Sequence, residues 1–165
     1  MKKIVLIILF FSCISLIAQT KARVVGIKDG DTIVVLLAGN IIKTIRLAEV
    51  DCPEKGQPFG KNAKQFTADL VFNKEIFFVE TDIDRYGRTI AKVYIKGKYL
   101  SREIIKAGLG WWYFQYSNDN SLGEAQKSAC DQKRGLWQDS KAIAPWVFRA
   151  NIKRPHNKSY HKTKA

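Results

Sequence analysis

The chain has 165 residues, with 28 Lys and Arg against 15 Asp and Glu, a formal charge of +13 and 46% apolar residues. That length holds one domain of ordinary size, and the apolar fraction supports a packed core, which excludes a chain disordered throughout. The charge excess points to a polyanionic partner, whether nucleic acid, an anionic membrane or an acidic polymer, and composition does not choose among them.

Lys2 and Lys3 precede an apolar run from Ile4 to Ala18, with no further charge until Lys21. The run is shorter than the roughly 20 residues that cross a bilayer, so residues 1–18 are expected to be a secretory signal peptide cut after Ala18. The alternative is a lipoprotein signal in which Ser12-Cys13 leaves Cys13 as an acylated anchor. The expected localisation is therefore secreted or periplasmic, with membrane attachment only if Cys13 is lipidated. In an exported chain Cys52 and Cys130 have the option of one disulfide. Both histidines, His156 and His161, lie far from either cysteine, so no His/Cys zinc spacing exists.

Three β-rich segments follow, Arg23–Lys28, Thr32–Leu37 and Ile41–Val50, separated by Asp29-Gly30-Asp31 and Ala38-Gly39-Asn40. Gly with Asp or Asn tolerates the positive φ of hairpin loops, so the pattern predicts a three-stranded meander. Lys61–Phe72 is a predicted helix with Ala63, Phe66, Leu70 and Val71 on one face and Asn73 as its stop. Strands are predicted at Ile76–Thr81 and Thr89–Ile95, joined by the polar loop Asp82–Arg88. Helices at Leu100–Ala107 and Ser121–Arg134, stopped by Gly108 and Gly135, bring the helix count to about three. From Lys141 onward there are seven basic residues and no acidic one. A domain over 19–150 is expected, followed by a basic, mobile tail at 151–165. The fold class is α+β, mainly β, and the pattern fits a five-stranded OB-type Greek-key barrel, although a generic α+β domain explains the same string.

Asp31 leaves the first turn, and Asp51 and Glu54 follow the third strand, so the meander can gather three carboxylates at one end. Carboxylates without His or Cys side-chain ligands make an all-oxygen site suited to calcium or magnesium. Each also has an ordinary reading: Asp-Gly-Asp is a common hairpin turn, and Asp51 and Glu54 can cap a following helix. Arg46, in an otherwise apolar strand, and Arg88, closing the 82–88 loop, read singly as surface cations. Two arginine forks beside three carboxylates, however, balance a phosphodiester and can neutralise charge developing on phosphorus.

Ile27-Lys28-Asp29-Gly30-Asp31-Thr32, Ile45-Arg46-Leu47 through Glu54, and Asp84-Arg85-Tyr86-Gly87-Arg88 stand in an order and spacing that resembles the staphylococcal nuclease-like, or thermonuclease, family. Lys106-Ala107-Gly108-Leu109, Lys133-Arg134-Gly135-Leu136-Trp137 and Pro145-Trp146 extend the resemblance, to its secreted bacterial branch, over nearly all of the chain beyond residue 18. It implies an OB-fold endonuclease that cuts DNA and RNA with little sequence choice, favouring single-stranded or locally open substrate and leaving 3′-phosphate ends. It implies calcium held by Asp31, Asp51 and the backbone carbonyl of Cys52, where many members carry Thr, and the Cys adds an expected sensitivity to oxidation. Glu54 matches the general base, and Arg46 and Arg88 match the residues that clamp the scissile phosphate. No obligate protein partner is implied, and a monomer is expected.

Among the aromatics, Phe114 and Tyr116 align with the family's base-pocket positions, and Arg85 and Tyr86 are further substrate-binding candidates from the matched loop. Trp137 and Trp146 read as packing residues. Two rivals stand beside the enzyme: a catalytically weak nucleic-acid-binding OB module, and an adhesive surface protein acting through its basic end. Degenerate binding modules lose metal or arginine positions, whereas Asp31, Arg46, Asp51, Glu54 and Arg88 are all present.

Overall fold

The computed structural model describes residues 19–153. The expected signal peptide with Cys13, and residues 154–165 of the expected tail, lie outside them.

The meander forms as β1 (Thr20–Asp29), β2 (Thr32–Leu36) and β3 (Ile42–Leu47), each antiparallel to the next. Alternation decides the faces: Ala22 and Val24, Ile33 and Val35, and Ile45 and Leu47 are buried from the three strands in turn. The third segment is not one strand. It turns at Ala48-Glu49, with Glu49 at φ 65°, before the short β4 (Val50–Asp51).

β5 (Glu75–Ile83) lies antiparallel to β1, and β6 (Thr89–Ile95) is antiparallel to β5 and parallel to β3. The parallel contact pairs Arg46 with Ile90 and closes a five-stranded barrel in the order β3-β2-β1-β5-β6. Closure removes the sheet edges, as the OB-type expectation requires. β7 (Lys98–Tyr99) pairs antiparallel with β6, and β8 (Trp111–Trp112) pairs with β4, placing Asp51 opposite Trp111.

The helices are α1 (Gly60–Val71), α2 (Leu100–Lys106), α3 (Asn120–Asp131) and α4 (Pro145–Lys153). On α1 Gly60, Ala63, Thr67 and Val71 are buried, with Phe66 and Leu70 packed beside them. Thr67 Oγ1 donates to the carbonyl of Gly30 at 2.6 Å, which fastens the β1–β2 turn to the helix. The approach requires glycine: a Cβ at Gly30 would stand 2.7 Å from the Cβ of Ala63 and 2.9 Å from that of Cys52. The fourth helix was not expected. Pro145 supplies a pre-set φ and needs no N–H bond at the first helical position, and α4 runs across the boundary expected at residue 150. None of the helices among the described residues is long and apolar enough to cross a membrane. Cys52 and Cys130 are both free thiols.

Candidate active site

The floor of the site is built at the barrel's parallel seam. Asp31, just past the β1–β2 turn, accepts from the backbone N–H of Cys52 at 2.7 Å through Oδ2 and from Thr32 Oγ1 at 3.1 Å through Oδ1. Arg46, on β3, reaches across the 48–49 turn: its Nη1 donates to the carbonyls of Leu47 and Val50 at 2.9 and 2.8 Å. Its Nη2 stands between two carboxylates, 2.8 Å from Asp51 Oδ1 and 3.3 Å from Asp31 Oδ2. Burial works against the Arg46 charge, but Asp31 and Asp51 outweigh it and raise its pKa. Asp51 is only 1% exposed, and burial raises its carboxyl although Arg149 and Arg46 pull the other way. Burial followed by the charges of Asp31 and Glu54 raises Asp29, which lies on the same wall.

The rim comes from loops. Glu54 follows β4 in a segment that folds back on the start of α1, so closely that a Cβ at Gly60 would collide with the carbonyl of Glu54. Arg88 sits at the β5–β6 turn, where Asp84 accepts from its backbone N–H at 2.9 Å and from its Nε at 2.6 Å. The Asp84 carboxyl is lowered: burial opposes this, but the bonds from Arg88 and from the N–H of Tyr86 prevail. Among the described residues neither terminal nitrogen of Arg88 makes a hydrogen bond to the protein; its guanidinium carbon lies 5.7 Å from the Tyr86 ring centroid, and Arg88 lines the groove. Arg85 lies with its guanidinium carbon 4.9 Å from the Tyr86 ring centroid, and the Tyr86 ring is exposed. Floor and rim enclose one open groove of about 1060 Å³ that also takes in Tyr113, Tyr116, Trp146 and Arg149.

Among the described residues no group of three His, Cys, Asp or Glu side chains is gathered as a metal cage. The donor chemistry nevertheless fits a hard divalent cation. Asp31 and Asp51 already share one positive centre, the Arg46 Nη2, and both are oxygen ligands of the kind a hard cation takes.

A model described as staphylococcal nuclease homologue matches residues 44–139. An uncharacterized endonuclease of Haemophilus influenzae is 40% identical over 149 residues, covering 89% of this chain and 84% of the relative. A micrococcal nuclease of Shigella flexneri is 38% identical over 151 residues, covering 85% and 86%. A probable staphylococcal-like nuclease of Oryza sativa is 34% identical over 105 residues, covering 64% of this chain and 32% of its own length. The chain belongs to the staphylococcal nuclease family.

Within this nuclease frame, Asp31, Arg46, Asp51, Cys52, Glu54, Arg85, Tyr86, Arg88 and Tyr116 all line the groove. Phe114 does not. It is 55% exposed and packs edge-on against Trp112 and Trp146, with ring centroids 6.2 and 6.4 Å away. The reason is a 3-10 turn over Phe114–Tyr116, which breaks strand alternation and brings residues three apart to one side. Tyr113 therefore stands on the wall beside Tyr116, their ring centroids 4.7 Å apart.

The Cys52 side chain points away from the groove, between Gly30 and Gly110 in the core. Burial, and next the charge of Asp31, push its thiol well above the usual range, so the expected oxidation sensitivity does not follow. Trp146 packs as expected against Trp111 at 5.8 Å, but it also stacks on Tyr113 at 5.5 Å with the planes 3° apart and so forms part of the groove wall. Arg149 was not among the sequence candidates. Its Nη2 lies 2.7 Å from Asp51 Oδ2, and its Nη1 lies 2.7 Å from Glu54 Oε1. The available signal was a lone arginine in the apolar Pro145–Ile152 stretch, helical only if Pro145 is read as a helix start.

Proposed function

We propose that this nuclease is a calcium-dependent endonuclease that hydrolyses phosphodiester bonds of DNA and RNA with little sequence preference, leaving 3′-phosphate ends. One observation carries the reading: three carboxylates, Asp31, Asp51 and Glu54, share a groove with Arg88, whose terminal nitrogens make no hydrogen bond among the described residues. In this scheme Arg88 binds two non-bridging oxygens of the scissile phosphate and offsets charge as it grows there. Asp84 fixes the direction of the fork. Glu54 takes the proton of the attacking water. Arg46 has both terminal nitrogens engaged with the protein, so its first task is to hold Asp31 and Asp51 together. When bound by Asp31, Asp51 and the Cys52 carbonyl, calcium would supply Lewis-acid neutralisation of the phosphate. Tyr113 and Tyr116 offer ring faces to unpaired bases, a sequence-tolerant contact that favours open strands.

Export is part of the proposal. The Lys2-Lys3 start and the apolar run to Ala18 support a cleaved signal peptide and a secreted or periplasmic enzyme, with the Cys13 lipoprotein as its alternative. The test is digestion of plasmid, heat-denatured DNA and RNA by the chain from Gln19 onward, in calcium and then in chelator. Cleavage lost on chelation, with ends that accept label only after phosphatase treatment, is expected at the 3′ side. Binding without cleavage in calcium would replace the enzyme with a nucleic-acid-binding module.

A further inference from the structure

The α4 helix reaches the acidic cluster from a distant part of the chain. The Arg149 guanidinium lies across two carboxylates at once, touching both oxygens of Asp51 at 3.2 and 2.7 Å and Glu54 Oε1 at 2.7 Å. Among the described residues it is the only side chain that bonds the Glu54 carboxylate. Glu54 otherwise stands on a loop with no strand or helix of its own, and its side chain is 37% exposed.

A second contact joins the same two segments from behind. Gln57, itself buried, accepts the Glu54 backbone N–H through Oε1 at 3.2 Å and donates through Nε2 to the carbonyl of Ile143, just ahead of α4. The loop bearing Glu54 is thus held on both sides by the chain around α4. Aromatic stacking of Trp146 on Tyr113 seats the helix at the groove.

A planar, two-pronged guanidinium suits this position because it can satisfy two carboxylates in fixed relative orientation, which a lysine ammonium cannot. We propose that Arg149 is a positioning residue for the hydrolytic reaction: it sets where the Glu54 carboxylate stands and, through Asp51, moderates how strongly the acidic pair attracts a divalent cation. The inference rests on the nuclease reading above. Its second half follows from reciprocity, because a positive charge on Asp51 opposes a second positive charge there and its removal must strengthen cation binding.

The experiment compares the wild-type protein with Arg149→Gln and Arg149→Lys. Calcium binding is measured by calorimetry without nucleic acid, and kcat and KM are measured on a single-stranded oligonucleotide. The Gln variant is expected to bind calcium about tenfold more tightly yet turn over about tenfold more slowly at similar KM. The Lys variant, with charge kept and fork lost, is expected to bind calcium as the wild type does and to remain slow. A Gln variant with wild-type calcium affinity and wild-type kcat overturns the proposal, as does a parallel loss of calcium binding and turnover, the mark of a merely structural role. Should the Gln variant fail to fold, wild-type kcat in the Lys variant overturns it. A wild-type protein that does not cleave refutes the nuclease reading instead, while the calcium affinities still test the charge on Asp51.

Discussion

The floor and the rim of the groove are built on different principles. On the floor, Asp31, Arg46 and Asp51 stand on strands of the barrel or directly beside them, are nearly excluded from water, and satisfy one another and the backbone of the turns. On the rim, Glu54, Arg88 and Arg149 sit on a loop, a turn and the last helix, and each is partly exposed. The difference separates two tasks. In the proposed mechanism, groups that would hold a cation are pre-set and costly to disturb, whereas groups proposed to meet the phosphate and the water have an open face.

Substitutions should respect this division. Arg46→Ala should have the largest effect, because it leaves Asp31, Asp51 and two turn carbonyls short of donors in a buried place. A loss of about 3 kcal/mol in urea unfolding is expected together with loss of cleavage. A stability within 0.5 kcal/mol of wild type, on the order of an ordinary surface change, would erase the distinction. Arg88→Ala should lower turnover by about two to three orders of magnitude while the melting temperature stays close to wild type, and single-turnover kinetics beside a thermal melt reads both. Asp84→Ala, which removes the guide of the Arg88 fork without removing the fork, should cost about tenfold in kcat/KM; an unchanged value would mean the fork needs no guide.

The smallest effect is chemical rather than catalytic. In the folded protein iodoacetamide should label Cys130 and spare Cys52, because burial pushes the Cys52 thiol far up while Cys130 is only partly covered. Peptide mass spectrometry would show it, and equal labelling would place Cys52 outside the core.

The same division explains what could be read from the residues alone. Asp31, Arg46, Asp51 and Glu54 lie in or just after one meander, so short-range spacing already gathers them, while alternation and turn chemistry fit a closed barrel without excluding a generic α+β domain. The interruption at Ala48-Glu49 was hidden because the segment carries no Gly, Asn or Pro turn residue, although Glu49 takes a positive φ and Arg46 bonds the carbonyls of Leu47 and Val50 on either side. Phe114 stood beside Tyr116 by its match to the family's pocket positions, whereas the 3-10 turn places Tyr113 beside Tyr116 on the groove wall. Arg149 was the hardest to find. It lies 95 residues from Glu54 in sequence, in a run whose excess of positive charge reads as a solvated end. Contacts at that separation are decided by how α4 packs, through Trp146 and the Gln57 link to Ile143, and no local pattern encodes them.

The most direct test of the account is single-turnover cleavage of a short single-stranded DNA in calcium by the wild-type protein and Glu54→Gln, with binding measured in parallel. The wild type is expected to cleave, and the Gln variant to bind about equally well but cleave on the order of a hundredfold more slowly, or slower still. Equal cleavage rates would contradict it by removing Glu54 from the chemistry, and binding without cleavage by the wild type would contradict it entirely.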